Sequence, residues 1–215
     1  MIRRRFSAAA FLMLVVAALA VAQTSPEFSA DMQMKTKGEE AFNGKIYFAG
    51  GKIRTDMNTE GQEMRHITDV NAQRAYTIMV GQNMYMEHDL KSANPMTARG
   101  PRTPELRKLD LNNPCAGTEY SCKRVGAESV NGRSTVKWDF SLKQTGKHEM
   151  FMWVDQKIPM AIRTLLADGS QIDLLNLKEG LQDPTLFQIP SGYQKLDMGN
   201  LMRGMPAGDP DEDQD

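Results

Sequence analysis

The most distinctive chemistry in this chain lies in methionines and histidines spaced two apart within extended segments. HEMFMWV, residues 148–154, carries His148, Met150 and Met152, and MYMEH, residues 84–88, carries Met84, Met86 and His88. Side chains alternate across a strand, so His148, Met150 and Met152 are expected on one face, with Phe151 and Trp153 on the other. Thioether sulfur and imidazole together suit Cu(I) or Ag(I), which makes Met84, Met86, His88, His148, Met150 and Met152 one candidate metal set. The same spacing serves an apolar lining, because methionine is unbranched, flexible and polarizable and adapts to acyl chains. On that reading Met32, Met34, Met84, Met86, Trp138, Phe140, Met150 and Met152 line a site for a hydrophobic ligand. A tightly packed core with no ligand is a third use of the same residues. Residues two apart on a strand stand about 6.6–6.8 Å apart, so either kind of site needs neighbouring strands to bring the groups together.

Catalytic patterns are missing from the sequence. His66, His88 and His148 are the three histidines, and all lie inside strand-like runs rather than in loops. There is no GxSxG elbow, phosphate-binding loop, dinucleotide glycine pattern or HExxH helix. The carboxylates are scattered through turns and polar faces. The chain therefore reads as a non-enzyme that needs no cofactor. The two cysteines, Cys115 and Cys122 in NPCAGTEYSC, lack the paired CxxC knuckles of a zinc site. In an exported protein an even count favours a disulfide that closes a short loop.

Export is indicated by MIRRRFSAAAFLMLVVAALAVAQ: a basic triplet, an apolar run, then Ala20-Val21-Ala22 before Gln23. The apolar run is shorter than the ~20 residues of a spanning helix, so residues 1–22 read as a signal cleaved near Ala22/Gln23, with no transmembrane segment after its removal. That cleavage takes three arginines and no acid from 26 basic and 27 acidic side chains, leaving a net charge of about −4. No clustered basic surface suggests nucleic acid. The periplasm is the expected location.

What must position these residues is a series of strands. From Phe28 onward the hydrophobic period is two, with Phe28, Ala30, Met32 and Met34 alternating against Ser29, Asp31, Gln33 and Lys35. Strand-like runs follow, separated by turn signals at Gly50-Gly51, Glu60-Gly61, Asn71-Ala72, Gly81-Gln82, Asn131-Gly132, Gln144-Thr145-Gly146 and Asp168-Gly169. The fold class is mainly β: about ten or eleven strands in a large curved antiparallel sheet, an unclosed half-barrel with one or a few short helices. One domain spans residues 23–197. Its segment 91–114 is a loop containing a short helix near 104–110, either a lid or a crossover. Residues 198–215, rich in Gly, Pro and acid, are expected to be a disordered tail.

Several stretches resemble a known superfamily: FSADMQMKTKGEEAFNGKIYFAGGKIRTDM, KRVGAESVNGRSTVKW, MFMWVDQKIPMAIRTLLADG and LKEGLQDPTLFQIPSGYQKL. The matching positions are Gly44, Arg54, Gly126, Asn131-Gly132, Trp153-Val154-Asp155, Pro159, Asp168-Gly169, Phe187, Pro190, Gly192 and Tyr193. They are similar to the outer-membrane lipoprotein carrier and sorting superfamily, the LolA, LolB and RseB-like fold, and most of all to its uncharacterised periplasmic relatives. The resemblance implies an open antiparallel barrel with a hydrophobic cavity for lipid acyl chains. Three functions are carried forward. The first is a periplasmic carrier of a lipid or lipoprotein acyl chain, related to lipoprotein sorting. The second is a Cu(I)/Ag(I)-binding protein, and the third an interaction or stress-sensing module that meets an envelope protein.

Overall fold

The computed structural model describes residues 26–36, 42–59, 61–91, 112–158 and 160–196. Outside them fall the expected signal segment, the expected acidic tail, the expected helix near 104–110 and Pro159. The described chain is twelve strands: β1 (Phe28–Lys35), β2 (Phe42–Ala49), β3 (Lys52–Thr59), β4 (Gln62–Asp69), β5 (Arg74–Met79), β6 (Met84–Asp89), β7 (Tyr120–Val130), β8 (Arg133–Leu142), β9 (His148–Asp155), β10 (Ala161–Leu166), β11 (Gln171–Glu179) and β12 (Gln194–Lys195). They form one sheet in the order β12-β6-β5-β4-β3-β2-β1-β11-β10-β9-β8-β7, open at β12 and β7. This is the large unclosed sheet expected. The strand beyond the expected count is β12, two residues long and parallel to β6, too short to carry an alternation.

Two antiparallel meanders, β1–β6 and β7–β11, are joined where β1 pairs with β11. Hairpin chemistry holds the register. At the β7–β8 tip, Asn131 and Gly132 both take positive φ (51° and 77°), the geometry of a two-residue turn that suits strand twist. Gly44 is needed for a different reason. Its φ is ordinary, but a Cβ there would stand 2.5 Å from the Asp56 carbonyl oxygen on β3 and 3.4 Å from Met32 Cε on β1.

Buried residues gather in three clusters. One joins Phe28, Ala30, Ile46, Phe48, Ile53 and Leu174 with Val130, Trp153, Ile158 and Ile162. A second, beside the Cys115–Cys122 disulfide, holds Trp138, Phe140, Met152 and Val154. The third pairs Ile67 and Ile78 with Phe187. Phe187 belongs to a 3₁₀ turn, Pro184–Phe187, which Asp183 caps by accepting from the Thr185 N–H. This turn and the residues up to Tyr193 form a strap across β3–β6. Buried Arg54 anchors the strap, with Nε and Nη2 on the two Asp56 carboxylate oxygens (2.6 and 2.7 Å) while Nη1 donates to the Leu186 carbonyl at 3.0 Å. The Tyr193 hydroxyl donates to the Val80 carbonyl at 3.4 Å. Thus Arg54, Phe187 and Tyr193, three positions of the sequence resemblance, are structural staples of one contact.

On the other meander the tip of the β7–β8 hairpin reaches across to β11. Asn131 donates to the Leu174 carbonyl at 3.0 Å and to Asp173 at 3.4 Å, and Arg133 bonds both Asp155 and Glu179. Trp153, which donates to Glu128, is buried in the cluster that includes Val130 at this tip. Asp155 and Asp173 are held below the usual carboxylate range. For Asp155 burial pushes upward but is outweighed by Arg133 and by the Lys157 and Ile158 N–H groups. For Asp173 burial is again outweighed, by Arg163, Gln171 and Asn131. A carboxyl whose folded value is depressed adds stability that is complete above its unfolded value, about 3.9, and is lost as the pH falls through the folded one.

Two outcomes follow. Gly44→Ala should lower the unfolding free energy by about 1–3 kcal/mol, the usual cost of overpacking, because the clash is with backbone; an unchanged urea midpoint would contradict the close approach. The urea midpoint of the native chain should fall steeply below about pH 4, and Asp155→Asn should be less stable at neutral pH with a shallower decline in that acid range.

Candidate ligand-binding face

Register decides which side chains share a face. One cross-strand row runs Met84, Met79, Met64, Met57, Gly44, Met32 and Leu174 over β6, β5, β4, β3, β2, β1 and β11. The next runs Met86, Thr77, His66, Thr55, Ile46 and Ala30. A row displaced the other way runs Arg124, Trp138, Met152, Thr164, Ile172 and Met34 from β7 to β1. Met150 stands opposite Phe140 beside that row. All eight expected lining residues, Met32, Met34, Met84, Met86, Trp138, Phe140, Met150 and Met152, therefore point to one face of the sheet.

They do not form one cluster. Trp138, Phe140, Met150 and Met152 pack together near the disulfide, and Met32 leans on the cluster around Phe28. Met84 and Met86 belong to no buried cluster, and neither do Met57, Met64 and Met79, which the spacing argument did not select. All five are half-buried. The strap covers the opposite face of these same strands, where Ile67, Ile78, Tyr76 and Tyr85 lie.

The six-residue metal set is not assembled, and one of its members needs correction. Between β8 and β9 the pairing slips: Phe140 faces Met150, but Ser141 faces His148. The extra residue of this β-bulge turns His148 onto the face opposite Met150 and Met152. There its Nδ1 lies 2.7 Å from Asp139 Oδ1 and its ring 4.5 Å from Phe151. Moreover, β6 and β9 are separated by seven strands in the sheet order, about 38 Å along the sheet at ~4.8 Å per strand. Among the described residues no group of three or more His, Cys, Asp and Glu side chains is arranged to hold a metal.

The structure instead brings His66 and His88 together. His66 Nδ1 lies 3.2 Å and His88 Nε2 3.3 Å from Thr77 Oγ1, on the strand between them. His66 is held below its ordinary pKa, first because burial disfavours the imidazolium and then because His88 stands beside it.

At the β7–β8 end of the same face is a cleft of about 400 Å³ lined by Asn112, Arg124, Val136, Trp138 and Gln156. Trp138 is only 7% exposed, and its indole Nε1 is buried without a hydrogen-bond partner. A buried donor left unpaired costs free energy, so it marks a place where an acceptor is welcome.

Residues 28–171, from the first residue of β1 to the first of β11, match a family described as a domain of unknown function, DUF4412. No curated protein matches the chain. Among solved structures, an uncharacterized conserved protein from Thermus thermophilus is similar at a TM-score of 0.53 and 11% identity, covering 81% of this chain and 91% of that one. That likeness shows the fold. A chain of the Pseudomonas aeruginosa MucA/MucB complex has a TM-score of 0.46 at 16% identity; 77% of this chain covers 56% of it, little more than half its length. A LolA superfamily protein from Nitrosomonas europaea has a TM-score of 0.33 at 9% identity, with 78% and 91% covered. No helix among the described residues is long and apolar enough to cross a membrane.

If the methionine row is open as its half-burial implies, mild peroxide should oxidise Met57, Met64, Met79, Met84 and Met86 before the buried Met152. Peptide mass spectrometry reads the order, and equal protection of all six would mean that the row is covered.

Proposed function

The chain belongs to the DUF4412 family, and we propose that this member is an exported, non-enzymatic binding protein that carries a lipid acyl chain or similar amphiphile on its methionine-rich face. One observation carries the reading: the eight large apolar residues expected as a lining share a single face, and the methionines of that face on β3–β6 are half-exposed. Half-open methionines on four neighbouring strands make a contiguous apolar surface of the kind that serves binding. Methionine in place of leucine or valine favours a changeable occupant, since its three rotatable bonds let the wall follow a flexible chain. The cleft supports an amphiphile rather than a plain hydrocarbon. Arg124 offers a cation there, which a carboxylate or phosphate head would pair with.

The purified protein should carry lipid detectable by native mass spectrometry and take up fluorescent fatty acids. Affinity should rise about fourfold per added methylene, the equivalent of ~0.8 kcal/mol per buried CH₂. Met32→Glu and Met86→Glu should each weaken uptake at least tenfold, while Gln33→Glu on the opposite face should not. Arg124→Gln should weaken binding of a fatty acid more than that of the matching alcohol. A protein that carries no lipid and ignores chain length would end this reading.

A further inference from the structure

The three strands β4, β5 and β6 place nine side chains in a square on the methionine face. Its rows are Met64, Met79 and Met84; His66, Thr77 and Met86; and Thr68, Ala75 and His88. Directly opposed residues on antiparallel strands have Cβ atoms about 4.5–5.5 Å apart, and diagonal ones about 7–8 Å. Four thioethers and two imidazoles thus surround Thr77, the one buried member, which is 9% exposed. The square contains no carboxylate, ammonium or guanidinium. The two ring nitrogens that face Thr77 Oγ1 lie at 3.2 and 3.3 Å from it, so they are no more than 6.5 Å from each other.

We propose that this square is a binding site for a soft monovalent cation, Cu(I) or Ag(I), with Met64, Met79, Met84 and Met86 as thioether ligands and His66 and His88 as imidazole ligands. The donor set is soft and neutral, which selects Cu(I) or Ag(I) over Mg²⁺, Ca²⁺ or Mn²⁺, ions that want carboxylate and carbonyl oxygen. Thr77 is a positioning residue. Its hydroxyl oxygen has two lone pairs, and when both rings donate to it through the nitrogens that face it, His66 Nε2 and His88 Nδ1 are left as free lone pairs. The methionines are not serving as core filler, since none of the four belongs to a buried cluster and the apolar cluster of these strands lies on the opposite side, under the strap.

This site depends on sulfur and imidazole rather than on apolarity, and Met→Leu substitution isolates that dependence. It removes sulfur while nearly preserving volume and apolarity, so a loss of metal binding reports the thioethers and not a change in bulk. The test is anaerobic titration of the purified protein with Cu(I) in competition with a chromogenic chelator. One equivalent should bind. The variant M64L/M79L/M84L/M86L should lose at least 100-fold in affinity, and M150L/M152L should bind as the native protein does. Thr77→Val should cost about tenfold, the usual effect of removing a group that orients metal-bound histidine. On addition of Ag(I), the methyl carbon signals of Met64, Met79, Met84 and Met86 should shift and those of Met150 and Met152 should not, a readout that requires no variant to fold. Failure to compete with the chelator, undiminished binding by the fourfold leucine variant, or Ag(I) shifts confined to other methionines would each overturn the proposal.

Discussion

A single-layer sheet has two faces and no second sheet to lie against, and the rest of this structure answers to that constraint. A sheet of amphipathic strands must find cover for its apolar side from the same chain. Here the cover is local and divided. The C-terminal strap covers one side of β3–β6, fixed by the Arg54 guanidinium, which grips Asp56 with two nitrogens and the strap carbonyl of Leu186 with the third. The β7–β8 hairpin tip reaches β11 through Asn131 and Arg133. A buried arginine is tolerable only when its donors are met, and this one meets a carboxylate and a carbonyl at once. With the opposite side of β3–β6 taken by the strap, the methionines of those strands are what the described chain leaves half-open.

Gly44 explains how that side stays continuous. Met32 and Met57 flank it in the same row, and the missing Cβ gives Met32 Cε room to lie over the β2 backbone. A larger residue would split the row into separate patches over β1 and over β3–β6. The glycine and the methionines therefore belong to one device: a flat backbone stretch where flexible side chains can move sideways. Leucine would fill the same volume with fewer torsions and no sulfur. The choice of methionine at four consecutive strands, β3 to β6, is most economically understood as a demand for adaptability or for thioether chemistry.

Much of this was legible in the sequence. Period-two alternation located the strands, and the turn signals located the hairpins. The methionine row was also within reach, because paired residues of a hairpin stand at equal distances from its turn. Met57 and Met64 are equidistant from Glu60-Gly61, Met64 and Met79 from Asn71-Ala72, and Met79 and Met84 from Gly81-Gln82. Three other features could not be read. The β1–β11 pairing is a contact between segments more than 130 residues apart, which no local pattern encodes. The bulge before Met150 reverses His148 by inserting one residue, and alternation alone cannot reveal it. The Trp138 cleft depends on Arg124, Val136 and Gln156 meeting from different strands and a turn.

The bulge also bears on why the two ends of the face differ. By turning His148 away to Asp139, it leaves the β8–β9 end with Trp138, Phe140, Met150 and Met152 and no imidazole. That end is buried beside the disulfide, and its cleft carries one cation, Arg124. The β4–β6 end has imidazoles and thioethers, is half-buried, and has no charged group in the square around Thr77. A soft cation would meet only sulfur at the first end, with no nitrogen donor beside it. An acidic head group gains nothing at the second, where neither a cation nor an unpaired donor meets it. The two ends thus differ in the chemistry they can recognise while sharing one apolar surface, and a residue shift of one position on β9 is what keeps them distinct.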